Sequence, residues 1–263
     1  MLIIKIGGGK EINVEGIVKG LSELDEKFII VHGANALRDN LASDLNKEKK
    51  VLTSVKGYSS VYSDEEAINL IMMSYSGLKN KKIVELCQQN GINAVGLSGV
   101  DGKLVQSKRN SGIRVKEDGK TKIIHDFSGK PKKINKELLE LLLDNGYVPV
   151  VTIPTLDENN FAVNSENDDI VNALEKEFHA DKVIQLIEAP GFLENKDDPG
   201  SVIKEIKKEE LEAREQKVEG RMKRKVLALR KLFEQGASEV IISDGRTDNP
   251  IKNALEGKGT IIK

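Results

Sequence analysis

The chain has 263 residues, with 41 Lys and Arg against 42 Asp and Glu, a formal net charge of -1, one cysteine and no tryptophan. That length suits one large domain or two closely joined lobes with a core that needs no cross-links, and a single cysteine excludes a disulfide framework and a multi-thiolate zinc site. Near-zero charge gives no global attraction to nucleic acid or membrane, and no apolar run approaches the roughly 20 residues of a membrane span, so a cytoplasmic protein is expected.

Short apolar runs alternate with helical patterns from end to end. Met1–Ile6 is apolar except for Lys5 and runs into Gly7-Gly8-Gly9. Ile12–Leu24 has helical spacing, Phe28–Val31 is a second strand ending at His32-Gly33, and Ala34–Leu45 is helical again. Two more helices are expected over Asp64–Tyr75 and Leu78–Asn90, then a strand over Ala94–Leu97 ending at Ser98-Gly99. Residues 103–125 alternate around Glu117-Asp118-Gly119-Lys120 and read as a β-hairpin turning at Asp118-Gly119. The pattern continues with a helix over Asn135–Asn145, strands over Tyr147–Thr152 and Lys182–Ile187, and a helix over Asp168–Phe178 between them. Glu194–Gln216 is highly charged and reads as a surface loop with a solvated helix. A helix over Arg221–Gln235, a strand over Glu239–Ser243, a helix over Pro250–Leu255 and a strand over Thr260–Ile262 close the chain. Runs apolar on both faces are what buried parallel strands require. The expectation is an α/β protein, a three-layer α/β/α sandwich around an open, mostly parallel sheet.

Glycines cluster where strands end, the place where open α/β sheets bind ligands and where backbone amides cradle anions. Gly7-Gly8-Gly9 and His32-Gly33-Ala34 are the leading pair; each alone is equally well a tight turn. Neither a P-loop nor GxGxxG is complete, since Arg114 stands where a P-loop needs its first glycine and Ile12 where a dinucleotide turn needs its last. Lys5 is costly inside an apolar strand unless an anion compensates it or it snorkels from an edge. Arg221, Lys223, Arg224 and Lys225 crowd a helix start, against the macrodipole, and either form a solvated basic face or face a polyanion. Asn164 to Asp168 opens another helix, as a cap or as a group aligning lysines. Three scattered histidines offer no metal site and no catalytic triad, and Cys87 reads as packing. Residues 103–136 carry eleven Lys and Arg against three acidic residues, a solvated face or a dock for an acidic partner.

Taken in order, Lys5-Ile-Gly-Gly-Gly9, Val31-His-Gly-Ala34, Gly96-Leu-Ser-Gly-Val-Asp-Gly102, Asn164 with Asp168, and Gly220-Arg-Met-Lys-Arg-Lys225 resemble the amino acid kinase superfamily in its N-acetylglutamate kinase branch. The resemblance spans the chain and is nearest to those kinases whose substrate is α-aminoadipate or glutamate held on an amino-group carrier protein. It implies ATP with Mg2+ bound to the nucleotide, an acyl phosphate product in lysine or arginine biosynthesis, a small acidic carrier protein as partner, and a homodimer. It implies that Lys5 and Lys225 neutralise the transferring phosphoryl group and that Asp168 orients them. Gly7 and Gly8 would contact the nucleotide phosphates, Gly33 and Ala34 the substrate carboxylate, and Asn164 its α-carboxylate. Residues 1–175 would form the substrate lobe and residues 176–263 the nucleotide lobe. Two positions depart from the family pattern: Val61 stands in the substrate site where the family has an arginine, and Glu166-Asn167-Asp168 replaces Asp-Gly-Asp. The rival expectations are a kinase for free N-acetylglutamate and a catalytically weak, nucleotide-binding regulator.

Overall fold

The computed structural model describes every residue except Glu48, Lys49, Lys56, Tyr58, Asp118, Gly119, Lys196 and Glu219. Among the described residues eight strands form the central sheet: β1 (Leu2–Ile6), β2 (Phe28–His32), β3 (Ala94–Ser98), β4 (Val148–Thr152), β5 (Lys182–Ile187), β6 (Glu205–Ile206), β7 (Val240–Asp244) and β8 (Thr260–Ile262). Their order is β6-β8-β7-β5-β1-β2-β4-β3, and every pairing is parallel except β7 with β8. β1 and β2 lie at the centre, buried on both faces along their whole length, as their unbroken apolar sequences require.

Strand alternation sorts β1 between two hydrophobic layers. Leu2, Ile4 and Ile6 join one cluster, with Ile17 and Val18 of the helix Val14–Leu21, Ile83 and Cys87 of Asn80–Gln89, and Ile251 and Ala254 of Pro250–Leu255. Ile3 joins the other, with Leu139 of the helix Lys136–Asp144, Ile170, Val171 and Leu174 of Asn167–Phe178, and Val226 and Leu229 of Gly220–Glu234. These are the three expected layers. Lys5 has the parity of Ile3, so its side chain is delivered to the layer that holds Asn167–Phe178. Cys87 is buried packing as expected, its thiol pushed up to about 11 by burial.

Several local expectations need correction. The helices expected over 64–75 and 78–90 are one continuous rod, α-helical over Glu65–Ile71, π-helical over Met72–Lys79 and α-helical again over Asn80–Gln89. Ser76-Gly77 does not break it, because neighbouring contacts pin the widened turns: Ser74 Oγ donates to Leu70 O at 2.6 Å, Ser76 Oγ to Ile153 O at 3.0 Å, and the Tyr75 hydroxyl to Asn35 Oδ1. The 103–125 hairpin is shorter than expected. Ile113–Glu117 pairs with Lys120–Ile124, whereas Val105–Arg109 pairs with Gly129–Ile134 in a separate four-stranded sheet; the expected turn at Asp118-Gly119 lies outside the described residues. A small hairpin, Val51–Thr53 with Ser59–Val61, went unread and joins the basic one through Val55 N–H donating to Arg114 O at 2.9 Å. Within the charged 194–216 stretch, Glu205–Ile206 docks on the sheet edge, and the helix Leu211–Gln216 buries Leu211 and Glu215 instead of being wholly solvated.

His32 ends β2 with no solvent exposure. Asn80 Nδ2 lies 3.1 Å from its Nε2, and Nδ1 faces Gly33 O at 3.4 Å, so the partners assign a neutral ring protonated on Nδ1. Burial drives its pKa down to about 3, with the Gly33 carbonyl acting upward and Lys79 downward. A depressed folded pKa means that the stability this ring contributes is complete above about pH 6.5. It is lost as pH falls, at roughly 1.4 kcal/mol per unit, until the folded ring itself protonates. The difference in unfolding free energy between the natural protein and His32→Gln should therefore shrink by about 2 kcal/mol between pH 7 and pH 5. Urea titrations at both values measure it, and parallel pH dependences would show that His32 is not held neutral.

Candidate active site

Lys5 reaches Asp168 from the end of β1: its Nζ lies 2.9 Å from Asp168 Oδ1, with side-chain exposures of 11% and 21%. Asp168 stands in the first turn of Asn167–Phe178, where the helix dipole favours a carboxylate. Burial raises the Asp168 pKa, but the charge and hydrogen bond of Lys5 and the charge of Lys225 outweigh it, leaving the carboxyl below its ordinary range. Lys225 belongs to Gly220–Glu234, which packs on Asn167–Phe178. Three distant segments thus meet, with the Lys5 ammonium on the Asp168 carboxylate and the charge of Lys225 acting on the same group. The surplus positive charge sits at the carboxyl end of a central strand, where a phosphoryl group could be neutralised.

The two leading glycine turns meet beside them. Register pairs Lys5 with Val31 and Ile6 with His32, so Gly7-Gly8 and Gly33-Ala34 leave neighbouring strands together. Gly33 N–H donates to Ile6 O at 2.9 Å, and Ala36 N–H to Gly8 O at 2.9 Å. A Cβ on Gly8 would lie 2.7 Å from the backbone nitrogens of both Ala34 and Asn35, and one on Gly33 would lie 2.9 Å from Gly8 N. Only glycine allows this approach. Gly7 N–H is already bonded to Leu186 O at 2.8 Å, so its part in the turn is shape. Further along, the Glu188 carboxylate accepts from Glu11 N–H at 2.6 Å and covers Gly9 so closely that a Cβ there would be 1.8 Å from Oε2. The turn already holds one anionic group on a backbone amide, which is the donor chemistry a nucleotide phosphate requires.

A cavity of about 580 Å³ is lined by Asp169 and Arg224, the chain neighbours of Asp168 and Lys225, while Lys5, Asp168 and Lys225 do not themselves line it. Val61, Asn164, Lys130, Asp169, Arg224 and Lys231 are among its lining residues; Gly33 and Ala34 are not. Asn164 is held by its Nδ2 donating to Ser63 Oγ at 2.9 Å and by backbone bonds to Phe127 and Gly129. Arg224 Nη1 pairs with Glu166 Oε1 at 2.9 Å, and Lys231 Nζ lies 4.0 Å from Asp169 Oδ1. Burial raises the pKa values of both Glu166 and Asp169, with the nearby cations acting the other way. Arg224 Nε and Asn167 Oδ1 are buried without a hydrogen-bond partner among the described residues, as groups awaiting a ligand would be.

Lys5, Asp168 and Lys225 therefore come together, Gly7, Gly8, Gly33 and Ala34 form the adjoining turn, and Asn164 and Val61 line the cavity. Lys130, Asp169 and Lys231 were missed as site residues. Lys130 lies in the basic 103–136 run, and nothing local distinguishes an inward lysine from an outward one there. Lys56, a cation close in sequence to Val61, lies outside the described residues. Among the described residues no group of three or more His, Cys, Asp or Glu can hold a metal ion.

A family model described as the amino acid kinase family matches residues 1–244. A [LysW]-aminoadipate kinase from Thermus thermophilus is 37% identical, with all of this chain and all of that protein covered. An acetylglutamate kinase from Methanopyrus kandleri is 33% identical, again over the full length of both. Among solved structures, N-acetylglutamate synthase from Neisseria gonorrhoeae with coenzyme A and N-acetyl-glutamate superposes with a TM-score of 0.79 at 17% identity, covering 99% of this chain and 58% of that one. At that identity the likeness speaks for the fold alone.

Proposed function

The chain belongs to the amino acid kinase family and is a phosphotransferase, and from that premise we propose that it transfers the γ-phosphoryl group of ATP to the side-chain carboxylate of α-aminoadipate or glutamate carried on a small acidic amino-group carrier protein. The single observation that carries this reading is the Lys5–Asp168–Lys225 cluster beside a cationic cavity lined by Asn164. A carboxylate is already a nucleophile, so an oxygen attacks the γ-phosphorus directly, the bond to ADP breaks, and an acyl phosphate forms without a general base. Catalysis is then positioning and charge neutralisation. Lys5 and Lys225 take the phosphoryl charge, Asp168 holds them in place, and the turn from Gly7 and Gly8 onward receives the nucleotide phosphates. Gly33 and Ala34 support that turn and the acceptor carboxylate, and Asn164 orients the substrate. Mg2+ would travel on the nucleotide phosphates, which suits an ion that keeps few protein ligands, and would help neutralise them.

Residues 1–175 serve the substrate in this reading and residues 176–263 the nucleotide, joined through the helix Asn167–Phe178. The basic strands between 103 and 136 are the dock for the acidic carrier. A homodimer fits the exposed Met72, Met73 and Leu78 of the long helix, and light scattering that reads a monomer would remove it. A cytoplasmic location belongs to the same proposal; no described helix is long and apolar enough to cross a membrane.

Hydroxylamine trapping of the acyl phosphate tests the reaction. Hydroxamate should form with glutamate or aminoadipate linked to the carrier C-terminus and not with free N-acetylglutamate, and kcat/KM should fall about tenfold or more between 50 and 500 mM salt. Hydroxamate from free N-acetylglutamate alone would hand the function to the kinase of the free amino acid. None with any substrate despite tight ATP binding would favour the regulatory reading that Val61 raises.

A further inference from the structure

Among the described residues four cations line the cavity beside Asn164, namely Arg114, Lys130, Arg224 and Lys231, against the two carboxylates Glu166 and Asp169. Arg224 is taken up by Glu166 and Lys231 faces Asp169, whereas Arg114 and Lys130 have no ion pair among the described residues. Their settings differ. Arg114 rides on the outer hairpin, tied inward by its carbonyl. Lys130 follows Gly129, whose N–H donates to Asn164 O at 2.9 Å and whose carbonyl accepts from Ser165 Oγ at 3.0 Å. That double clamp fixes Lys130 against the segment carrying Asn164.

Charge around Lys130 is predominantly positive. Burial and Lys231 lower its pKa, Asp169 acts upward, and Arg224 and Lys132 lower it further. Crowded like charges in a partly desolvated pocket are costly unless an anion enters. Val61 brings no charge to the same cavity, and the buried Arg224 Nε lacks a partner. Position matters too. Asp168 and Asp169 are consecutive on one helix and therefore point about 100° apart. Asp168 meets Lys5, and Asp169 lines the cavity with Lys130. The start of this helix therefore faces the Lys5 ammonium with one carboxylate and the cavity with the next.

We infer that in this chain Lys130 is the anchoring cation for the substrate carboxylate that is not phosphorylated, supplying the charge that Val61 does not bring. The inference rests on the phosphotransfer reading and names the specificity-determining residue within that site. Lys130 acts in binding, and no proton or phosphoryl group passes through it.

The test uses the full chain and a carrier C-terminal peptide bearing glutamate through its α-nitrogen, with the glutamate α-carboxylate either free or as its methyl ester. Binding is read by calorimetry and turnover by hydroxamate. The natural protein should bind the free acid on the order of tenfold to a hundredfold more tightly than the ester. Lys130→Met should reduce that ratio to below about threefold, Lys130→Arg should restore most of it, and KM for ATP should stay within about twofold in all three. Because the acid-to-ester ratio is internal to each variant, general loss of docking charge or of folded protein does not move it. A natural protein that fails to discriminate, or a Lys130→Met protein that keeps the natural ratio, overturns the inference. Absence of hydroxamate from every substrate would sink the phosphotransfer reading, and the binding ratio would still decide the role of Lys130.

Discussion

Lys225→Ala is expected to lower kcat by at least about three orders of magnitude while leaving the fold and its stability nearly unchanged. The two halves of that expectation have separate causes. Lys225 is exposed on the helix Gly220–Glu234, and alanine is at least as good a helix former, so trimming it costs about 0.5 kcal/mol or less. Its charge nonetheless acts on the Asp168 carboxylate in the same direction as that of Lys5. Groups that neutralise a transferring phosphoryl act mainly in the transition state, where removing one lowers kcat far more than it raises KM. Lys5→Ala should slow turnover comparably but also destabilise, because it strands the carboxylate of Asp168 beside the sheet. A melting curve and a kcat measurement on each variant separate the two. Turnover of Lys225→Ala within tenfold of the natural enzyme would remove Lys225 from the phosphoryl site.

Much of this architecture is legible in single segments. LIIKI and FIIVH are apolar on both faces and can only be central strands, and Asn90-Gly91, Asn145-Gly146 and Gln235-Gly236 stop their helices near the residues observed. Lys5 was visible as an anomaly for a physical reason: an ammonium in a buried strand needs an anion. Which anion it meets depends on the face to which strand alternation sends it and on which helix crosses that face, facts set by packing 160 residues away and absent from any local pattern. The family resemblance bridged that gap for Asp168 and Lys225 because those residues fall in its motifs. It gave nothing for Lys130, Asp169 and Lys231, which meet only when the strand Gly129–Ile134 packs on the helix Asn167–Phe178 and that helix packs on Gly220–Glu234. The long helix failed to break at Gly77 for a related reason, since bonds from Ser76 to Ile153 and from Tyr75 to Asn35 override a weak local preference.

Gly8→Ala tests how much of the site depends on two strands ending in step. β1 and β2 pair in parallel register as far as Ile6 and His32, and each turns at once into glycine, so both chains occupy one narrow space. The added methyl group would lie 2.7 Å from two backbone nitrogens and 2.9 Å from the Gly33 carbonyl carbon, and backbone cannot swing aside as a side chain does. The turns must separate. Overpacking of this kind costs about 1–3 kcal/mol, or roughly 2–12 °C in melting temperature for a chain of this length. Activity should suffer more than stability, because separating the turns moves the amides that receive the nucleotide phosphates relative to Lys5, which ends the same strand. A displacement of about 1 Å in a positioning site costs on the order of a hundredfold. KM for ATP should therefore rise and kcat fall by about that factor at a temperature where the variant is fully folded. Calorimetric melting and steady-state kinetics at 20 °C measure both effects. If Gly8→Ala melts with the natural protein and keeps its ATP kinetics, the two turns do not form a nucleotide cradle.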